Sequence, residues 1–468
     1  MRRREFIRLS SVAALAALTG CGTLSAAVGG FAPFSQKLPI PPLTPYRIMD
    51  GVKVFDLEVQ EGEMAFFKDT KTSTYGIDMA FLGKTIRVHR GDKVRFRVTN
   101  SLDETTTVHW HGIKAPGNCD GGPHSIIEKN TTWQAEMTID QDAATIWYHA
   151  HTHGETGRQV FMGMAGLFII DDDHADSLNL PKSYGIDDIP LVIQDRRFFA
   201  DGEFMYKQGM HDTMMGVTGN TMMVNGVVDP VVEVDPKLVR FRILNGSNAR
   251  IYDLMFDGGH AFHQIAGDSS FLPEPVGLKH FILATAERAE IVMDMSRFAG
   301  KTLYLGDGMG NRRLLKIVVK NTVPQSSTLP QKLITLKEYE GVKPKNTREF
   351  TLNMSMGFLG INEKQMDMHR IDEVVKKDTY EIWKIWNPSP RPHPFHVHGT
   401  AFKIVSRDGK PPKANEQGLK DTVLVYPRQK VEIMVVFRHL APKGRPYMYH
   451  CHMLEHEDAG MMGQFTVV

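Results

Sequence analysis

Near the C-terminus, five residues within a dozen positions carry chemistry: His450, Cys451, His452, His456 and Met461. A thiolate, imidazoles and a more distant thioether form the ligand set of a blue-copper electron-transfer centre. If this segment is a strand, successive side chains point to opposite faces. Cys451 then faces one way, and His450 and His452 face the other. One tripeptide would join two metal sites through covalent bonds.

Three further H-x-H pairs supply partners for the outward histidines: His109/His111, His149/His151 and His396/His398. A single H-x-H pair is ordinarily an incidental feature of a surface strand. Four pairs, one of them flanking a cysteine, are not. They account for eight of the 20 histidines, and His393 and His456 bring the set to ten.

With these motifs in view, the chain resembles the multicopper oxidases, on the bacterial three-domain periplasmic cuprous-oxidase and laccase-like branch. The resemblance rests on His109-Trp110-His111-Gly112, His149-Ala150-His151-Thr152-His153-Gly154, His393-Pro394-Phe395-His396-Val397-His398-Gly399 and the run from His450 to Met461. It implies four copper ions. The type 1 copper would take His393, Cys451, His456 and Met461, and the type 2 copper His109 and His396. One type 3 copper would take His111, His149 and His452, and the other His151, His398 and His450. The reaction implied is four one-electron oxidations coupled to reduction of O2 to two waters. Glu457 and Asp120 match acidic positions that the family uses for proton delivery. Glu457 is also placed to orient a ligand imidazole. Asp458 and His153 suit hydrogen bonding around the ligands better than ligation.

The donor is less legible. Thioethers favour Cu(I), and the chain has 26 methionines. Met354, Met356, Met366, Asp367 and Met368 precede His393 as substrate-copper ligands do in cuprous oxidases. Met210, Met214, Met215, Met222 and Met223 form a second group, although methionine also fills irregular cores. Where cuprous oxidases place an Asp and a Met just before the first blue-site histidine, this chain has Ser389 and Arg391. An arginine is a poor neighbour for Cu(I). The leading expectation is Cu(I) oxidation in copper tolerance with phenol oxidation as a second activity. The alternative is a laccase-like or bilirubin-oxidase-like enzyme for organic donors. A copper-free structural protein, such as the division-associated cupredoxin proteins, is the reading that intact ligands argue against.

These side chains need rigid elements to hold them. Stretches such as Lys93 to Val98 and Leu238 to Leu244 alternate apolar and polar residues, the pattern of half-buried strands. A weak repeat ends in Asn100, Asn245 and Asn387, 145 and 142 residues apart in turn. The expectation is an all-β chain of three cupredoxin-like Greek-key barrels or sandwiches over 45–175, 185–322 and 345–468. The H-x-H pairs fall in the first and third domains, so their imidazoles meet only where those domains touch. The middle domain, which has no such pair, reads as a spacer.

Composition sets the remaining bounds. At 468 residues the chain is too long for one core. A net charge of +1 with no basic block excludes a nucleic-acid footprint. Residues 1–26 read as a twin-arginine-type export signal, from Arg3 and Arg4 and the apolar run Val12 to Leu18. Leu18-Thr19-Gly20-Cys21 matches a lipoprotein cleavage motif, with a plain cut near Ala26 as the alternative. The expectation is a periplasmic monomer with a possible lipid anchor at Cys21. Of the three cysteines, Cys119 then has no disulfide partner and reads as a small buried filler.

Overall fold

The computed structural model describes residues 32–325 and 327–468, so the twin-arginine and Cys21 expectations lie outside the described residues. The fold is a chain of paired β-sheets. A six-stranded and a four-stranded sheet enclose a first core around Phe55, Phe96, Trp110 and Phe168. A six-stranded and a seven-stranded sheet enclose a second around Phe241, Tyr252 and Ile291. Two five-stranded sheets enclose a third around Phe350, Trp383 and Phe395. This is the all-β, cupredoxin-like architecture expected. No helix among the described residues is long and apolar enough to cross a membrane.

Strand register brings the chemistry together. His109–His111 pairs antiparallel with Ala144–His149, and His109 stands opposite His149. In the third domain His393–Val397 pairs antiparallel with Tyr447–Cys451. His396 stands opposite His450, and Phe395 opposite Cys451. Gly112 takes φ +93°, and a Cβ there would lie 2.6 Å from Asp421 Oδ2. The glycine of H-W-H-G is therefore a turn and a close approach at once.

The repeat has a physical reason. Asn100, Asn245 and Asn387 are fully buried and make the same three bonds. The Oδ1 of each accepts from the backbone N–H two residues on, in Leu102, Ser247 and Ser389. The Nδ2 of each donates to a carbonyl four or five residues on, in Glu104, Arg250 and Arg391. It donates again across the domain, to Ile127, Leu283 and Val425. Each asparagine closes the loop after its strand by satisfying backbone groups that no ladder reaches.

One patterning expectation fails. Lys93–Asn100 alternates buried and less buried as expected, but Leu238–Asn245 is buried throughout. Its polar face carries Arg240 and Arg242, which pair with Glu290 and Asp188. Arg242 also donates to Thr145 of the first domain at 2.8 Å. Paired charge thus replaces solvent on that face.

Candidate metal centres

The structure brings ten histidines and one cysteine into two buried groups. In the first, His393 Nδ1 lies 3.4 Å from Cys451 Sγ, His456 Nδ1 lies 3.7 Å from it, and the two imidazole nitrogens are 3.2 Å apart. All three residues are fully buried. Met461, buried in the same core, ties the group by its backbone. Its carbonyl accepts from Cys451 N at 3.0 Å, and its N–H donates to His456 O at 2.9 Å.

Hydrogen bonds outside this group decide which nitrogens face in. His456 Nε2 lies 3.0 Å from the Met214 carbonyl, which can only accept. Nε2 therefore carries the proton and Nδ1 offers a lone pair. His393 Nε2 meets Ser389 Oγ at 2.9 Å, and that hydroxyl donates to Asn387 Oδ1 at 2.7 Å. The loop asparagine thus supports the centre through Ser389. Burial pushes the Cys451 thiol up, while coordination to a metal would deprotonate it.

The second group contains the eight H-x-H imidazoles. The Nε2 atoms of His151, His398 and His450 form a triangle with sides of 3.2, 3.3 and 3.2 Å. Three nitrogens each roughly 2 Å from one ion would stand roughly 3.4 Å apart. The rings of His111, His149 and His452 surround a second space, with centroids 5.0 to 5.6 Å apart. His109 stacks on His398 at 3.9 Å and His111 on His396 at 3.7 Å, which presses the first-domain rings against the third-domain rings.

Acceptors around this group fix its tautomers in the same way. The Nδ1 atoms of His109, His396 and His149 face the carbonyls of Asp120, Asp421 and Ala150 at 2.8, 2.8 and 2.7 Å. His450 Nδ1 faces the Cys451 carbonyl at 3.2 Å. His398 Nδ1 faces Asp120 Oδ2 at 2.8 Å, and His151 Nδ1 lies 3.2 Å from Glu457 Oε1. His111 is reversed: its Nε2 faces Asp421 Oδ1 at 2.9 Å. Each acceptor takes the proton-bearing nitrogen and turns the bare one inward. His109 Nε2 and His396 Nε2 are buried and have no partner, as are both nitrogens of His452. Burial lowers the proton affinity of most of these rings, taking His398 down to about 3 and His111, His149, His151, His396 and His452 well below the usual value. Buried neutral imidazoles with convergent lone pairs and no internal acceptors fit copper, as does the thiolate-imidazole group beside them.

The carboxylates sit against the ring nitrogens that face away. Glu457 reaches His450 Nδ1 at 3.0 Å as well as His151. Both approaches are close but poorly aligned for hydrogen bonding, and both Glu457 oxygens lack a hydrogen-bond partner. Burial alone would raise Asp120, but His398 and His109 hold it below the usual carboxylate range. Asp458 accepts from the N–H groups of Thr156 and Gly157 at 2.9 Å. His153 is exposed, so it does not supply the hydrogen bonding around the ligands that its sequence position suggested. Cys119 is buried in the first core, where its thiol donates to the Glu136 carbonyl at 3.3 Å.

Two relationships escaped sequence reasoning. Asp421 binds His111 through its carboxylate and His396 through its carbonyl, and it is clamped by Arg288 and by Ser269 Oγ at 2.9 Å. Thr285 Oγ1 donates to the His452 carbonyl at 2.5 Å. Ser269, Thr285 and Arg288 belong to the middle domain, as does Met214, which caps His456. The spacer reading of that domain therefore fails: it holds the outer hydrogen bonds of both centres. Only folding shows this, since these residues form no motif along the chain.

The methionines separate. Met354 packs against the third core, while Met356 stands wholly exposed at a hairpin turn. Met366, Asp367 and Met368 lie in a loop tied to Gly460 and Gln464. Met222 and Met223 are buried in cores, Met210 is exposed, and Met214 leans on the third domain.

Comparison with known proteins agrees with this geometry. Residues 58–175 and 329–468 each match a family model described as multicopper oxidase. The chain is 37% identical over 429 residues to multicopper oxidase mco of Staphylococcus aureus, covering 91% of each. It is 34% identical to cell division protein FtsP of Escherichia coli, covering 100% of this chain and 99% of that one. The solved structure of a laccase-like multi-copper oxidase, CueO, from Ochrobactrum sp. superposes with a TM-score of 0.85 at 37% identity, covering 92% of this chain and 100% of that one. With its histidines and cysteine gathered as a copper protein requires, this chain belongs to the multicopper oxidase family.

Proposed function

We propose that this chain is an exported, periplasmic oxidase that couples four one-electron donor oxidations to reduction of O2 to two waters. The observation that carries the reading is the inward set of bare imidazole nitrogens, those of His109, His396, His398 and His111 each fixed by an acceptor on the opposite side of its ring. In this reading His393, Cys451, His456 and Met461 hold one copper. His109 and His396 hold a second, His111, His149 and His452 a third, and His151, His398 and His450 a fourth. Bound there, the four ions store electrons and bind oxygen.

The chain's own residues do the remaining work. Cys451 is peptide-bonded to His450 and His452, so a covalent path joins the two centres. Glu457 and Asp120 touch the outer nitrogens of ring ligands and are placed to hold or pass protons. Arg288 and Asp421 fix His111 across the domain boundary. Burial excludes bulk water from both groups.

The donor reading favoured by the blue-site edge is a small organic reductant. Ser389 is spent on His393, and a cation stands at Arg391, which disfavours Cu(I) there. The Ochrobactrum protein is described with oxidase activity towards lignin model compounds, which supports this direction. Cu(I) oxidation is the second reading, favoured by the Met366–Met368 loop bound beside Met461. The experiment is oxygen uptake with Cu(I) against phenols, for wild type and a Met354/Met356/Met366/Met368 quadruple alanine variant. Phenol turnover that survives the quadruple change supports an organic donor, and Cu(I) turnover abolished by it supports the second reading. Purified protein that takes up no copper and shows no blue colour would overturn the oxidase reading and favour a role in cell division, which is what the name of FtsP states for that protein.

A further inference from the structure

The edge of the Cys451 centre carries a cation that no acid neutralises. Arg391 is partly buried, two residues before His393. Asn387 Nδ2 donates to its carbonyl at 2.6 Å, so its backbone is held in place. Its side chain reaches the middle domain, where Nη2 donates to the Met215 carbonyl at 3.1 Å. Its Nε is buried and has no acceptor. No Asp or Glu among the described residues makes an ion pair with it. Arg240, Arg242 and Arg288 differ, since each closes on a carboxylate. A partly buried guanidinium with no counter-charge is costly by itself, and an anion beside it would offset that cost.

The surroundings point the same way. Arg391 and the segment that caps His456 meet at consecutive carbonyls, Met214 and Met215. That segment, Met210–Met215, is flanked by Gly209 and Gly216, both at positive φ. The guanidinium thus sits one residue along from the carbonyl that caps His456. A cation there repels Cu(I) and attracts an anion. A planar guanidinium also matches a carboxylate in geometry, through two parallel N–H donors.

We propose that Arg391 is a specificity-determining residue for the electron donor: it selects phenols that also bear a carboxylate, which its unpaired charge draws to the blue-site edge. This inference deepens the oxidase reading and rests on it. In the reaction each phenol loses one electron and its hydroxyl proton and becomes a phenoxyl radical. Four such electrons and four protons convert one O2 into two waters, so the carboxylate is not consumed.

The test compares syringate with its uncharged methyl ester as donors to the copper-loaded full-length protein. Wild type, Arg391→Gln and Arg391→Lys are assayed for oxygen uptake, with the blue absorption band and its reduction potential recorded. The expected wild-type KM is roughly tenfold lower for the acid than for the ester, a discrimination that one well-placed charge pair can supply. Arg391→Gln collapses that ratio to about one and lowers the reduction potential, because a nearby cation favours the less positive copper state. Arg391→Lys retains much of the ratio and the potential, since it keeps the charge. Added salt narrows the ratio in wild type. Equal KM values for acid and ester in wild type overturn the inference, as does a ratio that survives Arg391→Gln. Ester and acid oxidised alike remove the Arg391 inference and leave the oxidase reading standing. Blue protein that consumes no oxygen with either donor removes the organic-donor reading and this inference with it.

Discussion

Asp421 Oδ1 lies 2.9 Å from His111 Nε2, so a carboxylate of the third domain orients a histidine of the first. The same carboxylate closes on Arg288 of the middle domain. Burial alone would raise Asp421, and Arg288 overrides it and holds it below the usual range. Three domains therefore meet on one charge pair. Removing one partner of a fully buried pair typically costs about 3–5 kcal/mol. Arg288→Met is expected to lose about that much unfolding free energy and to bind less copper at the eight-histidine group. Urea unfolding and metal analysis check this, and a stability within about 0.5 kcal/mol of wild type would remove the clamp role.

Glu457 lies within 3.2 Å of two ring nitrogens, with both oxygens free of hydrogen bonds. Glu457→Gln keeps the shape and removes the proton-carrying group. Turnover is expected to fall by roughly 10²–10⁴-fold, the usual scale of general acid–base catalysis. The blue band should persist, because Glu457 does not touch Cys451. Unchanged turnover across the pH range would leave Glu457 only an orienting role.

Acid should weaken the copper-free protein. Burial lowers His398 to about 3 and His456 to about 4, from an ordinary 6.5. Between about pH 6.5 and 4 the unfolded chain binds protons that the folded chain refuses. Stability is thus fully present above the unfolded value and falls as pH drops through this window. Each such ring costs about 1.4 kcal/mol per pH unit. The melting temperature of copper-free protein is expected to drop steeply from pH 7 to 4.5, and bound copper is expected to raise it at every pH in this window. A melting temperature that copper leaves unchanged would contradict the assignment of these rings as ligands.

Asn100, Asn245 and Asn387 make equivalent bonds in three domains, but only Asn387 supports a ligand, through Ser389 and His393. Each Asn→Ala change strands buried backbone groups and should destabilise its domain by about 1–3 kcal/mol. Asn387→Ala alone is expected to shift the blue absorption band. Visible spectra of the three variants at matched copper content decide the matter, and an identical band in all three would show that Ser389 holds His393 unaided.

Much of this protein is legible along the chain because metal chemistry is selective about residue type and strands are strict about spacing. Four H-x-H pairs, one around Cys451, name the imidazoles that gather, and period-two alternation reveals the β class. Even the asparagine repeat is visible, although its meaning is not. Tertiary structure decided what depends on distant partners. Leu238–Asn245 reads as half-exposed but is wholly buried, because Asp188 and Glu290 arrive from other strands to pair its arginines. The middle domain reads as a spacer, but Arg288, Thr285 and Met214 reach both centres. Sequence names which residues can bind a metal. Which nitrogen of a ring faces inward is set, where an acceptor holds it, by a group up to 310 positions away, as Asp421 is from His111, and only the packed fold brings the two together.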